Sequence, residues 1–424
     1  MKKVLVIVGN YSPNPSSVGA TIRPLLQSLV DKDYKVKVIT NRKNSNIASF
    51  EVESGIEIHR VDDTRQLVRD KIVNSKIMKK KILNPAKYIA LKSLGLFFYG
   101  FLGLFEPQYE YAGWLDSKIM KLAEELITDG FTTVLTISHP FKSHKIGLKL
   151  KRKYMDRIKW FMYEFDPLSM NDSNKNNLKR NWNYRLEQKC MAFSDTILLT
   201  PELYASYIAT PFKRYESKMF EVPYPSLNPN EYVDIPKADF FSENTINCLF
   251  SGRLYEKIRS PQKAIEIFLS LDSCIRLYFM TDIVGKRLVK KYDWCNKIDI
   301  IDFLPLEESI TVQKDANIFV NIGNETEHQV PGKIFELMSL GKPIIHFCSS
   351  GHDTSIKYLK DYPLILFVPW NFDIEEQKRR IQNFCFENRY KTVSKKEIEK
   401  QLPNYISSYS KSKFLSILIE RGSR

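Results

Sequence analysis

At 424 residues the chain is too long for one ordinary core, and with 43% hydrophobic residues it is too apolar to be disordered. A formal net charge of +15 suits an anionic partner, whether nucleotide, nucleic acid or membrane surface. Six scattered cysteines (Cys190, Cys248, Cys274, Cys295, Cys348, Cys385) form no CxxC pair, which argues against structural zinc and a disulfide framework and for a reducing compartment.

The chain opens on MKKVLVIVGN, a basic pair followed by a short apolar run. A signal peptide needs a longer apolar stretch and a small-residue cleavage site, so this reads as a first buried strand. No run reaches the roughly 20 apolar residues of a spanning helix. Short apolar runs then alternate with helical stretches. VLVIVG, YKVKVIT and IEIHRV come first, and FTTVLTIS, IKWFMYEF and DTILLT follow a long interruption. FEVPYPSLNPN, rich in Pro and Asn, reads as a linker. Beyond it the alternation restarts with INCLFSG, IRLYFMT, IDIIDFL, ANIFVNIG, KPIIHFC and LILFVPW, with helical candidates at 262–271, 306–315 and 332–340. Continuous apolar strands separated by helices predict parallel sheets covered on both faces. Two such series predict two doubly wound α/β domains, 1–222 and 223–400, whose sheets face each other across a cleft, followed by a terminal segment 401–424. Ligands of such sheets bind beyond the carboxyl ends of the strands.

The interruption, about 62–115, joins nine basic residues between Arg65 and Lys92 to an aromatic run from Leu94 to Phe105. It reads either as a membrane-interface segment or as a solvated helix with a buried cap on the first domain. On the membrane reading each Lys near an anionic leaflet contributes about 1 kcal/mol. Neutralising Lys79, Lys80 and Lys81 is then expected to weaken co-sedimentation with anionic vesicles, and unchanged sedimentation excludes that reading.

In VPGKIFELMSLGKPII (330–345), Pro331 suits the first helical position and Gly341 the end of the helix. Ile334, Leu337 and Met338 share an apolar face, which leaves Lys333 and Glu336 off it. Gly332 lets a ligand approach the backbone at the helix mouth, where free N–H groups attract phosphate. Glu336 is either an acceptor for vicinal ribose hydroxyls or simply an acid in a helix's first turns. FSGRLYEKIRSP (250–261) lies between a strand and a helix, with Gly252 at a tight turn and Arg253, Lys257 and Arg259 as three cations. Arg offers a planar fork that matches phosphate oxygens, and Lys a point charge. A cationic loop and a helix mouth on the same side of one sheet together describe a nucleotide diphosphate site.

The pairing of SGRLYEKIRSP with VPGKIFELMSLGKPII resembles glycosyltransferase family 4, with its GT-B fold. VGNYSPNPSSVGATIRPLLQSL, which contains Gly19, is similar to that family's first glycine loop, where acceptor and donor phosphate approach. ISHPFKSHKIGLKLKRKY and WFMYEFDPLSMN resemble a sub-branch with a His-bearing loop and an Asp-Pro after the next strand. The resemblance implies that Arg253 and one of Lys257 or Arg259 neutralise the diphosphate of a nucleotide sugar, that Glu336 holds the ribose, and that phosphate rests on amides near Gly332. The family's second Glu, eight residues before the ribose one, is here His328, with Glu325 and Glu327 nearby. Glu327 substitutes after a one-residue shift, or the sugar has changed, or the site is inactive. The resemblance further implies a retaining transfer without metal or cofactor, and no DxD carboxylate pair precedes a cleft. It also implies a terminal helix that crosses back to the first domain.

His139 directly follows a strand and is a candidate contact for a sugar hydroxyl or phosphate, ahead of His144, which opens a helix. Asp166 stands at the next strand end, as a functional carboxylate or as a turn-former before Pro167. The expected activity is hexosyl transfer from a UDP-linked donor to a polyprenyl-linked or oligosaccharide acceptor in cell-surface polysaccharide synthesis. The expected location is the cytoplasm, at the inner face of the membrane. A nucleotide-sugar epimerase on the same scaffold is the alternative. A nucleic-acid-binding role lacks any recognisable base-reading module.

Overall fold

A computed structural model describes residues 2–13, 17–42, 46–62, 113–138, 140–170, 177–225, 227–229, 234–256, 259–292, 295–324, 330–349, 353–371 and 373–422. Nearly all of the basic and aromatic segment, together with His139, Lys257, Glu325, Glu327 and His328, lies outside them. Contacts divide the chain into two units, Met1–Pro223 with Ser410–Arg424, and Tyr224–Tyr409.

The first unit is built on eight strands: β1 (Lys3–Ile7), β2 (Lys35–Arg42), β3 (Phe50–Glu53), β4 (Ile56–Asp62), β5 (Thr133–Ile137), β6 (Lys159–Glu164), β7 (Thr196–Leu199) and β8 (Met219–Glu221). Their order in the sheet is β3-β4-β2-β1-β5-β6-β7-β8. Five helices connect them: α1 (Ser17–Val30), α2 (Gly113–Thr128), α3 (Lys142–Tyr154), α4 (Asn177–Phe193) and α5 (Pro201–Ile208). The central strands are apolar on both faces because helices cover both sides. Val4 to Ile7 and Trp160 to Tyr163 are each at most 2% exposed. Two strands depart from the sequence expectation. β3 pairs antiparallel with β4, and Ser54 and Gly55 turn the chain between them at φ 50 and 80. Two consecutive positive φ values form the tight turn that matches strand twist. β8 takes the start of the expected linker onto the sheet edge beside β7 before Pro223.

The second unit carries β9 (Ile246–Ser251), β10 (Ile275–Thr281), β11 (Ile298–Asp302), β12 (Ile318–Ile322), β13 (Ile344–Phe347) and β14 (Ile365–Val368). All its neighbouring strands are parallel, in the order β11-β10-β9-β12-β13-β14. Its helices are α6 (Gln262–Ser270), α7 (Ile283–Val289), α8 (Leu306–Asp315), α9 (Lys333–Ser339), α10 (Ser355–Leu359), α11 (Ile374–Asn388) and α12 (Lys395–Gln401). The chain winds one way from β9 to β11 and the other way from β12 to β14. The strand order therefore reverses between β9 and β12, which opens a crevice at their carboxyl ends. Gly341 ends α9 at φ 72, where a Cβ would lie 2.6 Å from the Val393 carbonyl oxygen.

Helix α13 (Ser407–Gly422) follows, and its residues from Ser410 onward belong to the first unit. Phe414 and Leu418 are buried there, the Phe414 ring stacks with Tyr163 at 6.4 Å, and the Arg421 guanidinium lies 4.7 Å from the Phe220 ring centre. Among the described residues no helix is long and apolar enough to cross a membrane.

Candidate functional site

The crevice of the second unit is lined by the loops that leave β9 and β12. β9 ends in Gly252, at φ 156, a backbone conformation that L side chains rarely adopt. Its N–H donates to Met280 O at 3.0 Å, which ties the strand end to β10. Beyond it the chain folds back on itself, with Tyr255 and Arg259 exchanging backbone hydrogen bonds at 3.2 and 2.9 Å. This small loop separates its cations. Arg253 is 65% exposed, and its Nε lies 3.8 Å from Asp282 Oδ2 on the neighbouring strand end. Arg259 is only 9% exposed, and its Nη1 lies 3.8 Å from where a Cβ on Gly252 would stand. A Cβ there would be in ordinary contact with the guanidinium, so glycine at 252 answers to its backbone conformation and not to a need for space.

Among the described residues Arg259 has no ion pair, and its buried Nε has no hydrogen-bond partner. Burial pushes its pKa down to about 10, against the opposing influence of Tyr255 and Asp353, so it is charged at neutral pH. A buried cation with an unmet donor is what an anion site requires before its ligand arrives. The sequence left Lys257 and Arg259 as equal candidates. Burial and position single out Arg259 as the cation seated in the crevice, while Lys257 lies outside the described residues.

On the β12 side, Pro331 is buried and precedes the helix, which begins at Lys333 behind Gly332. Pro331 therefore stands two residues before the first helical position rather than at it. Among the described residues a Cβ at Gly332 would meet nothing within 4 Å. Glu336 is not free: its Oε1 accepts from Lys333 Nζ at 2.5 Å, one turn away on the same short helix. The register Phe250 to Val320 brings the ends of β9 and β12 level.

In the first unit, Gly19 is buried in the first turn of α1. His144 is fully buried, and its Nδ1 is 2.8 Å from Thr136 Oγ1, which also accepts from Trp160 Nε1. Burial holds its pKa at about 3, so it is a neutral core group. Asp166 lies in the loop directly after β6.

Sequence reasoning missed a buried acidic cluster beside Asp166. Glu187 on α4 accepts from Leu168 N at 2.9 Å, Tyr207 Oη at 2.5 Å, Ser169 N at 3.1 Å and the Ser169 hydroxyl. Glu164, at the end of β6, is fully buried next to it, and among the described residues neither oxygen meets a donor. Burial above all, and then Glu187, push its pKa well up, so Glu164 holds a proton. The available signal was an acid ending the otherwise apolar run KWFMYE. Also missed was Asp353, which with His346 forms a buried pair beyond β13. An isolated His in the apolar strand IIHF was its only mark.

No protein-family model and no curated protein sequence matches the chain. Solved structures do. Sucrose-phosphate synthase from Thermosynechococcus elongatus superposes with a TM-score of 0.66 over 100% of both chains, at 12% identity. A lipopolysaccharide outer core galactosyltransferase gives 0.56 over 99% of each chain, at 10% identity. The UDP-N-acetylglucosamine 2-epimerase of Rickettsia bellii gives 0.51 over 99% of this chain and 96% of its own, at 12% identity. With two Rossmann-like units, each built around a parallel sheet, the chain has the GT-B fold that its glycosyltransferase neighbours display.

Proposed function

We propose that the chain is a glycosyltransferase that binds the diphosphate of a nucleotide sugar, UDP-linked by preference, in the crevice between β9 and β12. The observation that carries this reading is Arg259, a buried guanidinium with an unmet Nε–H at the point where strand order reverses. As the bond between the sugar's anomeric carbon and the diphosphate breaks, negative charge grows on the leaving phosphate. Arg259 and the more exposed Arg253 are placed to offset it, and charge stabilisation of this kind is usually the largest contribution to catalysis. Lys333 and Glu336 exchange partners when a nucleotide enters: the ammonium turns to phosphate and the carboxylate accepts from ribose hydroxyls.

Transfer with retention follows if the acceptor hydroxyl attacks the face the diphosphate leaves. The new bond joins acceptor oxygen to the anomeric carbon, and the departing phosphate takes the acceptor's proton. The basic and aromatic run at 62–115 supports an acceptor held at an anionic bilayer, such as a polyprenyl-linked or oligosaccharide precursor of a surface polysaccharide. An epimerase uses the same diphosphate grip, and one of the similar structures is such an enzyme.

A thermal-shift panel of nucleoside diphosphates, their sugars and inorganic pyrophosphate tests the reading. Ligand at 100 times its dissociation constant stabilises by about 2.7 kcal/mol, a readily visible rise in Tm. No shift from any member at millimolar concentration rejects the site. Incubation with the stabilising donor alone separates the two activities, because an epimerase converts it without acceptor.

A further inference from the structure

One face of the first unit carries charge of almost a single sign. α3 and α4 together hold ten Lys and Arg and one acid, Glu187, which is buried. The two helices join β5 to β6 and β6 to β7, parallel neighbours taken in one direction, so both lie on the same side of the sheet and pack side by side. Ile146, Leu150, Cys190 and Met191 turn inward to a shared core, which leaves the opposite helix faces to solvent. A merely solvated surface ordinarily mixes both signs, because like charges one turn apart repel.

The outer faces are not purely polar. Along α4, Trp182, Arg185, Lys189 and Phe193 follow one another at spacings of three and four residues and so form one stripe. All four are exposed, Trp182 at 64% and Phe193 at 39%. Lys145, Lys149 and Arg152 form the matching stripe on α3. The Arg152 guanidinium lies 5.0 Å from the Phe193 ring centre, which joins the two stripes into a single surface. At the end of α3, Met155 adopts φ 48, a conformation usually left to glycine, and its side chain is largely exposed. Lys151 and Lys153 are paired with Asp195 and Glu124, but among the described residues Arg152, Arg185 and Lys189 pair with no acid.

We propose that the α3–α4 face docks on an anionic bilayer, with Trp182, Phe193 and Met155 entering the boundary between headgroups and acyl chains while the cations meet lipid phosphates. Charge complementarity selects an anionic partner. Exposed apolar side chains set among the cations select one with an apolar layer beneath its charge. Single-stranded nucleic acid stacks on rings and leaves Met155 unmatched. The surface is separate in sequence from the basic and aromatic run at 62–115. That a membrane-held acceptor is met there rests on the function proposed above; binding of the bilayer does not.

The test is co-sedimentation of the full chain with vesicles of phosphatidylglycerol and phosphatidylcholine. Combining Arg152→Gln, Arg185→Gln and Lys189→Gln is expected to weaken binding about 100-fold, each cation contributing about fivefold. Thermal unfolding of this variant is expected to match that of the unmodified protein, since all three side chains are exposed. Lipids brominated along the acyl chain are expected to quench tryptophan fluorescence on binding, and Trp182→Phe to remove part of that quenching. Unchanged sedimentation of the triple variant, loss only when Lys79, Lys80 and Lys81 are neutralised, or equal quenching in Trp182→Phe overturns the assignment. Binding of a single-stranded oligonucleotide that the triple variant loses, with no quenching by lipid, gives the surface to nucleic acid and overturns the bilayer. A thermal shift with UDP is read on the same unmodified protein. Its absence rejects the proposed function and leaves the vesicle result standing.

Discussion

Arg259→Ala is expected to lower the affinity for a nucleoside diphosphate by about 100-fold, or ~3 kcal/mol, while the protein stays folded. Truncating one partner of a desolvated charged contact typically costs 2–5 kcal/mol, and Arg259 is the buried cation of the crevice. Its removal leaves no unmet acceptor on Asp353, whose carboxylate keeps His346 Nε2 and the Ser349 and Ser355 amides as donors. Arg253→Ala is the contrast. At 65% exposure its interactions are screened by water, and a loss of about tenfold or less is expected. Calorimetric titration of both variants reads the difference. Full-strength binding by the Arg259 variant, or a larger loss at Arg253, removes Arg259 from the site.

The second large effect belongs to the acidic cluster of the first unit, where two neighbouring glutamates should respond in opposite ways. Glu187→Ala deprives Leu168 N, Ser169 N, the Ser169 hydroxyl and Tyr207 Oη of their common acceptor. Stranding that many buried donors should destabilise by about 3–5 kcal/mol. Glu164→Gln should do the reverse. The folded-state pKa of Glu164 lies well above its ordinary 4.5. Its favourable contribution is therefore complete below pH 4.5 and is lost as pH rises through the folded value. Glutamine matches the protonated shape and cannot ionise. The variant should be stabilised relative to the unmodified protein at pH 8 and not at pH 4. Denaturant unfolding at the two pH values checks it, and equal effects at both would mean that Glu164 does not hold a buried proton.

Period and punctuation made most of the architecture legible before any coordinates. Continuous apolar runs such as INCLFS and TVLTI became central parallel strands because strands covered on both faces need no alternation. The expected helices at 262–271, 306–315 and 332–340 appear as Gln262–Ser270, Leu306–Asp315 and Lys333–Ser339. Edges were harder to read. β3 and β8 are short and partly exposed, so neither shows an apolar run, and each exists because a neighbour offers a free edge.

At the site, residue types were readable and environments were not. Arg253 and Arg259 look alike in a string; the fold exposes one and buries the other where the chain turns back at the Tyr255 bridge. Glu336 looked available for a ribose, and only three-dimensional spacing shows Lys333 already bonded to it. Asp353 and His346 belong to no local pattern, since their meaning depends on Asn321, some 30 residues earlier, standing on the adjacent strand.

The return of the chain at Ser410 has a bearing on biogenesis. Phe414 packs on Tyr163, translated some 250 residues before, so the amino-terminal lobe emerges from the ribosome without the helix that covers this ring. The intervening lobe has its whole sequence first and is free to mature as a unit. A nonsense codon near 409 would therefore spare the later-made lobe and injure the earlier one, leaving apolar surface bare for chaperones or proteases to find.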